Sequence, residues 1–149
     1  MAQTYDPIAS YTLGSNQSLV TFSSIASSWT DLVLIVSAKA SGTASITGAQ
    51  VYFNSDLTKT NYAFTAMYGT GSVTGTFNWG DGTTQDHGPA PLVVTASIFC
   101  PSIVHINNYS SSTMYKSAIS RSGDASGSSY TSVGVWRNSS IISSISLQG

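Results

Sequence analysis

The chain has 149 residues, a formal net charge of −1 and only 7% Asp, Glu, Lys and Arg, against about 25% in an ordinary soluble domain. The five cations are scattered (Lys39, Lys59, Lys116, Arg121, Arg137), so there is no basic footprint for nucleic acid. No run approaches the roughly 18 apolar residues of a membrane-spanning helix, and Leu32–Val36 is the longest such run.

Every acid is an Asp, at positions 6, 31, 56, 81, 86 and 124, while 29 Ser and 17 Thr fill the polar positions. Hydroxyl side chains compete for backbone hydrogen bonds and disfavour helix interiors, whereas β-branched Thr suits a pleated strand. These numbers imply a single all-β domain over residues 1–149 with an uncharged, hydroxyl-rich surface.

In chain order, the strands expected are Ile8–Leu13, Leu19–Phe22, Leu32–Lys39, Ile46–Phe53, Tyr62–Tyr68, Val73–Trp79, Leu92–Phe99, Ile103–Asn108, Tyr115–Arg121, Tyr130–Arg137 and Ile141–Leu147. One helical turn is expected at Ser23–Trp29. Leu32–Val36 is apolar at every position, as in a strand covered on both faces or lying centrally in a sandwich. Phe77 and Trp79 share one face against Thr76 and Asn78. Phe64 lies on one face of its strand, and Ile145 and Leu147 share another with Ile141 and Ser143, leaving Ile142 out of step. Phe64, Phe77, Trp79, Ile145, Leu147, Leu34 and Val36 are therefore the expected core. Short strands at 8–12-residue spacing, separated by Gly-, Asn-, Asp- and Pro-containing turns such as Gly88-Pro-Ala-Pro91, indicate a β-sandwich or barrel, and the expected fold is an antiparallel β-sandwich, jelly-roll-like. Residues 70–91 read as a variable loop region.

Chemistry-bearing motifs are sparse. Five of the six Asp residues sit beside turns or strand edges, where Asp caps the backbone, and are read that way rather than as a glycosidase pair. Asp81-Gly-Thr-Thr-Gln-Asp86 lacks the spacing of a calcium loop. Trp79-Gly-Asp-Gly-Thr83 resembles the turn of PKD-type sandwich modules over five residues only and is read as a hairpin turn. His87 and His105 have no partner at metal-ligand spacing, and no Gly-x-Ser-x-Gly elbow is present. The expectation is a non-enzyme without cofactor or metal. Cys100, the lone cysteine, is expected to be a buried, inert thiol. Tyr5, Tyr109, Tyr115 and Tyr130 fall near loops and are the candidate interaction surface. The N-terminus carries no signal-peptide pattern, which implies assembly in the cytoplasm.

Two blocks carry a resemblance. Thr21-Phe-Ser-Ser-Ile25 with Trp29-Thr-Asp-Leu-Val-Leu-Ile-Val-Ser-Ala38 forms the first. Asn107-Asn-Tyr-Ser-Ser-Ser-Thr-Met-Tyr-Lys116, Ser120-Arg-Ser-Gly-Asp124, Val133-Gly-Val-Trp-Arg-Asn-Ser139 and Ile141–Leu147 form the second. Together they resemble a family of tailed-phage virion structural proteins common in phages of cyanobacteria and marine bacteria. The resemblance implies a virion protein without catalysis. With a compact domain and no stalk repeat, the expectation is a capsid decoration (cement) protein that contacts the major capsid protein. The alternative is a tail or fibre module that binds host-surface polysaccharide. Low charge, which leaves little repulsion between copies, and hydroxyl-rich strand edges suggest a homo-oligomer, expected as a homotrimer. The stop at Gly149 is read as leaving a sheet edge for another chain.

Overall fold

The computed structural model describes residues 5–41, 47–79, 88–96, 98–124 and 127–149, excepting the side chains of residues 47, 48 and 79. Its strands are β1 (Leu19–Phe22), β2 (Leu32–Ala38), β3 (Thr47–Phe53), β4 (Tyr62–Gly69), β5 (Thr74–Trp79), β6 (Leu92–Val94), β7 (Cys100–Asn107), β8 (Lys116–Gly123), β9 (Ser129–Trp136) and β10 (Ile145–Gln148). They form two antiparallel sheets, β1-β10-β3-β6 and β2-β7-β8-β9-β4-β5. The chain passes between the sheets along the path of a jelly roll. In the eight-strand version the seventh strand is single; here the meander β7-β8-β9 occupies its place.

Strict alternation builds the larger sheet. On β7, Cys100, Ser102, Val104 and Ile106 are buried, while Pro101, Ile103, His105 and Asn107 face outward. β8 and β4 repeat the pattern. Leu32, Leu34, Val104, Ile106, Ala118, Tyr62 and Trp136 meet Val51, Tyr52, Phe53 and Ile145 of the smaller sheet in one core. The rings interlock: Trp136 lies edge-on to Phe53 with centroids 5.6 Å apart, and Tyr52 edge-on to Tyr62 at 5.8 Å. Of the expected core, Leu34, Phe64 and Ile145 are buried, and Val36 and Leu147 pack against its margin. Phe77 is half-buried, edge-on to Phe64, with Thr76 exposed. The Trp79 side chain lies outside the described residues.

The segment before β6 runs through the interior. Pro89 and Ala90 are fully buried, and the Gly88 N–H donates to the Gln50 side chain of β3 at 3.2 Å. A Cβ on Gly88 would lie 1.6 Å from the Val51 carbonyl oxygen, and one on Gly134 of β9 would lie 1.8 Å from the Pro89 carbonyl oxygen. Both close approaches of backbone to backbone require glycine.

Several expectations are corrected. Residues 8–13 are exposed coil, because Ile8, Tyr11 and Leu13 find no surface to cover. Ser23–Trp29 contains no helical turn; Ser24 has φ 58°, and a 3₁₀ turn forms instead at Lys59–Asn61. The expected strand 92–99 ends at Val94, and Ile98 and Phe99 are exposed. The next strand begins earlier than expected, at Cys100 rather than Ile103. Pro101 is accepted there because its β8 pairing begins one residue later, at Ser102. The last strand starts at Ile145, not Ile141, and Ile142 rather than Ile141 is buried. Asn54 supplies the bonds a ladder would have made: its amide donates to Ile141 O and accepts from the N–H groups of Ser143 and Ser144. Cys100 is buried, with its sulfur against Thr95 and the Ile98 carbonyl.

Candidate interaction surface

The larger sheet turns one complete face away from the core. Across its strands the register aligns Val33, His105, Ile119, Val133, Thr65 and Asn78 in one outward row. The next row holds Ile35, Ile103, Arg121, Thr131, Met67 and Thr76. An antiparallel sheet with one solvated face ordinarily places polar residues there. Here five adjacent strands each present an aliphatic side chain or Met: Ile35 is 76% exposed, Met67 60%, Val133 54% and Ile119 39%, with Ile103 half-buried between them. Neither row contains Lys, Asp or Glu. The one guanidinium, Arg121, is turned onto the His105 ring at 3.3 Å.

This placement overturns the reading of Leu32–Val36 as covered on both faces. β2 is an edge strand, and its outer side chain Ile35 faces solvent. By contrast Gln50, Val51, Tyr52 and Phe53 of β3 are all buried, so that strand of the smaller sheet is covered on both sides.

The four candidate tyrosines do not form one surface. Tyr5 and Tyr115 are exposed at 67% and 62%. Tyr130 is half-buried on the inner face, stacked on Tyr68 with centroids 5.9 Å apart, and burial pushes its phenol pKa up. Tyr115 precedes β8, whereas Tyr130 pairs with Ser122 near the strand's far end, a separation of about 24 Å at ~3.4 Å per residue. Tyr109 is a correction: it is fully buried, its hydroxyl donating to Ala26 O and accepting from the Trp29 N–H. A loop position gave it the look of a surface residue, but its ring plugs the end of the sandwich and fastens the segment after β1.

Asp31, Asp56, Asp124 and Lys116 hold backbone. Asp31 accepts the Asn108 N–H at 2.8 Å. Asp56 accepts from Thr58 N, Asn61 Nδ2 and Trp136 Nε1. Burial acts to raise its pKa, but the bonds from Trp136, Asn61 and Thr58 outweigh it and hold the carboxyl below its ordinary value. Asp124 accepts the Ser128 N–H. Lys116, read from sequence as one of five scattered cations, is fully buried, and its ammonium donates to the carbonyls of Ser111, Met114 and Ser139. Desolvation lowers its pKa. Among the described residues no three His, Cys, Asp or Glu side chains group to hold a metal, and no helix is long and apolar enough to cross a membrane. Asp81, Asp86 and His87 lie outside the described residues.

No family model, curated protein or solved structure matches the chain. The outward face of the larger sheet is thus the feature on which a function is to be argued. Its low charge and its breadth suit contact with another surface. Nothing in the composition of Leu32–Val36 distinguished an open outer side from a covered one. The missed signal is register: only the alignment of five strands reveals that each contributes an aliphatic side chain or Met to one outward face.

Proposed function

We propose that the chain is a non-enzymatic structural protein of a tailed-phage virion, a capsid decoration protein that stabilises the shell by adding contact area. The observation that carries this reading is the outward face of the larger sheet, rich in exposed aliphatic side chains and holding Arg121 as its one charge in the two central rows, which suits contact rather than chemistry. Two further points support it. The chain's two blocks resemble a virion protein family, and jelly rolls recur in viral capsid domains, though also in lectins. In this reading the protein is localised on the virion after assembly in the host cytoplasm. It contacts the major capsid protein and acts as a homo-oligomer, with a trimer the expected count.

Quantified mass spectrometry of purified particles tests the proposal. A copy number on the scale of the major shell protein is expected. Absence from the particle overturns the proposal.

The second reading, a tail or fibre module for host polysaccharide, draws on the Tyr68–Tyr130 stack and on exposed Tyr115. It requires a handful of copies per particle and saturable binding to host envelope polysaccharide that is lost in Tyr130→Ala.

A further inference from the structure

We propose that the outer face of the six-stranded sheet, centred on Ile35, Ile103, Ile119, Val133 and Met67, is the surface through which copies of this chain contact one another. The inference deepens the structural reading above and rests on it for its setting. It assigns the face to a second copy rather than to a different protein, and because a face that meets itself closes a two-fold pair, it replaces the expected trimer by a dimer.

Three observations choose that occupant. The first is composition. Leu32-Val-Leu-Ile-Val36 is a run with the character of a strand buried on both faces, yet in the single chain Ile35 is 76% exposed. The fold covers one side of β2 and leaves the other as apolar as the first. The second is charge. The two central rows hold no Lys, Asp or Glu, and their one cation, Arg121, is engaged by His105. Such a face needs no opposite charge on its partner and is complementary to itself. A net charge of −1 also leaves almost no repulsion between copies.

The third is area. Six strands about 4.8 Å apart span roughly 24 Å, and seven or eight residues at about 3.4 Å extend roughly 25 Å. The flat footprint is therefore near 600 Å², before side-chain relief is added. A stable specific contact removes about 800 Å² from each partner, so this one face supplies most of what an interface requires. Sheets pack face to face about 10 Å apart, a distance that outward Ile, Val and Met side chains fill by interdigitation.

The test uses the full chain. Sedimentation velocity at micromolar concentration is run on wild type and on Val133→Lys, Met67→Lys and Leu57→Lys. Val133 and Met67 point outward from the face, whereas Leu57 is 61% exposed outside every strand of the larger sheet. Wild type is expected to be an oligomer that persists in high salt, because its contact is apolar. Val133→Lys and Met67→Lys are expected to raise the dissociation constant at least about tenfold, with far-ultraviolet circular dichroism unchanged and thermal melts matching wild type only at dilutions where wild type is dissociated. Leu57→Lys is expected to behave as wild type. A monomeric wild type overturns the proposal, as does an oligomer that survives both face variants. So does a wild type that stays monomeric alone and uses the face only to bind shell protein.

Copy number on particles is measured in parallel to separate the two claims. Abundant protein on the virion with an oligomer indifferent to Val133→Lys refutes this inference and leaves the structural role standing. A face-dependent oligomer absent from particles does the reverse.

Discussion

Replacing Gly134 by alanine adds one methyl group at the point where β9 meets the buried segment Gly88-Pro89-Ala90. The new Cβ would lie 1.8 Å from the Pro89 carbonyl oxygen, 2.6 Å from its carbonyl carbon and 2.8 Å from its Cα. Real Cβ contacts essentially never fall below 3.0 Å, and every neighbour here is backbone, so one main chain must move by more than 1 Å. The segment cannot move freely, because its far side touches β3 and its Gly88 N–H is bonded to Gln50. Displacement strains a packed core at about 1–3 kcal/mol. If the Gly88–Gln50 bond is lost, a buried donor left without a partner adds about 1–3 kcal/mol. The expected loss is therefore about 1–3 kcal/mol, rising to about 2–6 kcal/mol if that bond breaks, a large share of the ~5–15 kcal/mol that holds a domain folded. Urea denaturation followed by tryptophan fluorescence measures it, with Gly14→Ala as the control, since no atom lies within 4 Å of a Cβ there. Gly75→Ala should fall between them: its Cβ meets only the Tyr68 ring, at 2.6 Å, and a ring can turn aside. A Gly134→Ala midpoint within about 0.5 kcal/mol of wild type, the range of ordinary surface substitutions, would refute a buried path for residues 88–90.

Asp56→Ala should cost about 1–3 kcal/mol, because it strands the indole N–H of buried Trp136 along with its other partners. The depressed Asp56 pKa also fixes a sign. Its stabilisation is complete above the unfolded value near 3.8 and is lost as pH falls through the lower folded value. Urea midpoints below pH 4 should therefore decline less steeply in Asp56→Asn than in wild type. Lys116→Met keeps the bulk of the side chain but removes the donor shared by three carbonyls, so chemical denaturation should show a loss of at least about 2 kcal/mol. Tyr109→Phe should lose about 1 kcal/mol and speed amide exchange at Trp29, whose N–H donates to the Tyr109 hydroxyl.

What the sequence made legible follows a simple rule. Where one strand face is buried and the other open, alternation identifies both strand and register, as at Tyr62–Gly69 and Thr74–Trp79. Legibility fails where a side chain replaces the ladder. Ile141–Ser144 looks like strand by composition, but Asn54 satisfies its backbone, and the buried residue becomes Ile142. It fails again where loop chemistry conceals burial. Gly88-Pro-Ala-Pro91 reads as a turn from its Gly and Pro, yet Pro89 and Ala90 are interior. A signal existed there, since the tetrapeptide has no polar side chain to hydrate. The candidate surface was hardest to read. An aliphatic outward residue on a single strand is unremarkable, and only the five-strand register assembles them.

Residues of the two blocks singled out in the sequence gather at one end of the sandwich. Asp31 and Asn108, Trp29 and Tyr109, Lys116 and Ser139, and Trp136 belong to the resembling blocks, and their bonds fasten one end of the sandwich. At that end the segments entering β2, β8 and β4 meet those leaving β7 and β9. Arg137 closes it by donating to the carbonyls of Thr60 and Tyr62. Most charged groups described in detail are thus consumed in holding backbone, which explains how a chain with so few charges leaves its broadest face nearly free of them. Residues that make that fastening carry the fold, because changing one orphans several buried groups at once. Residues on the outward rows orphan nothing when changed, so they are free to follow whatever surface they meet. On the proposed reading, contact is therefore to be sought on outward Ile35, Ile119, Val133 and Met67 rather than on the groups that fasten the end of the sandwich.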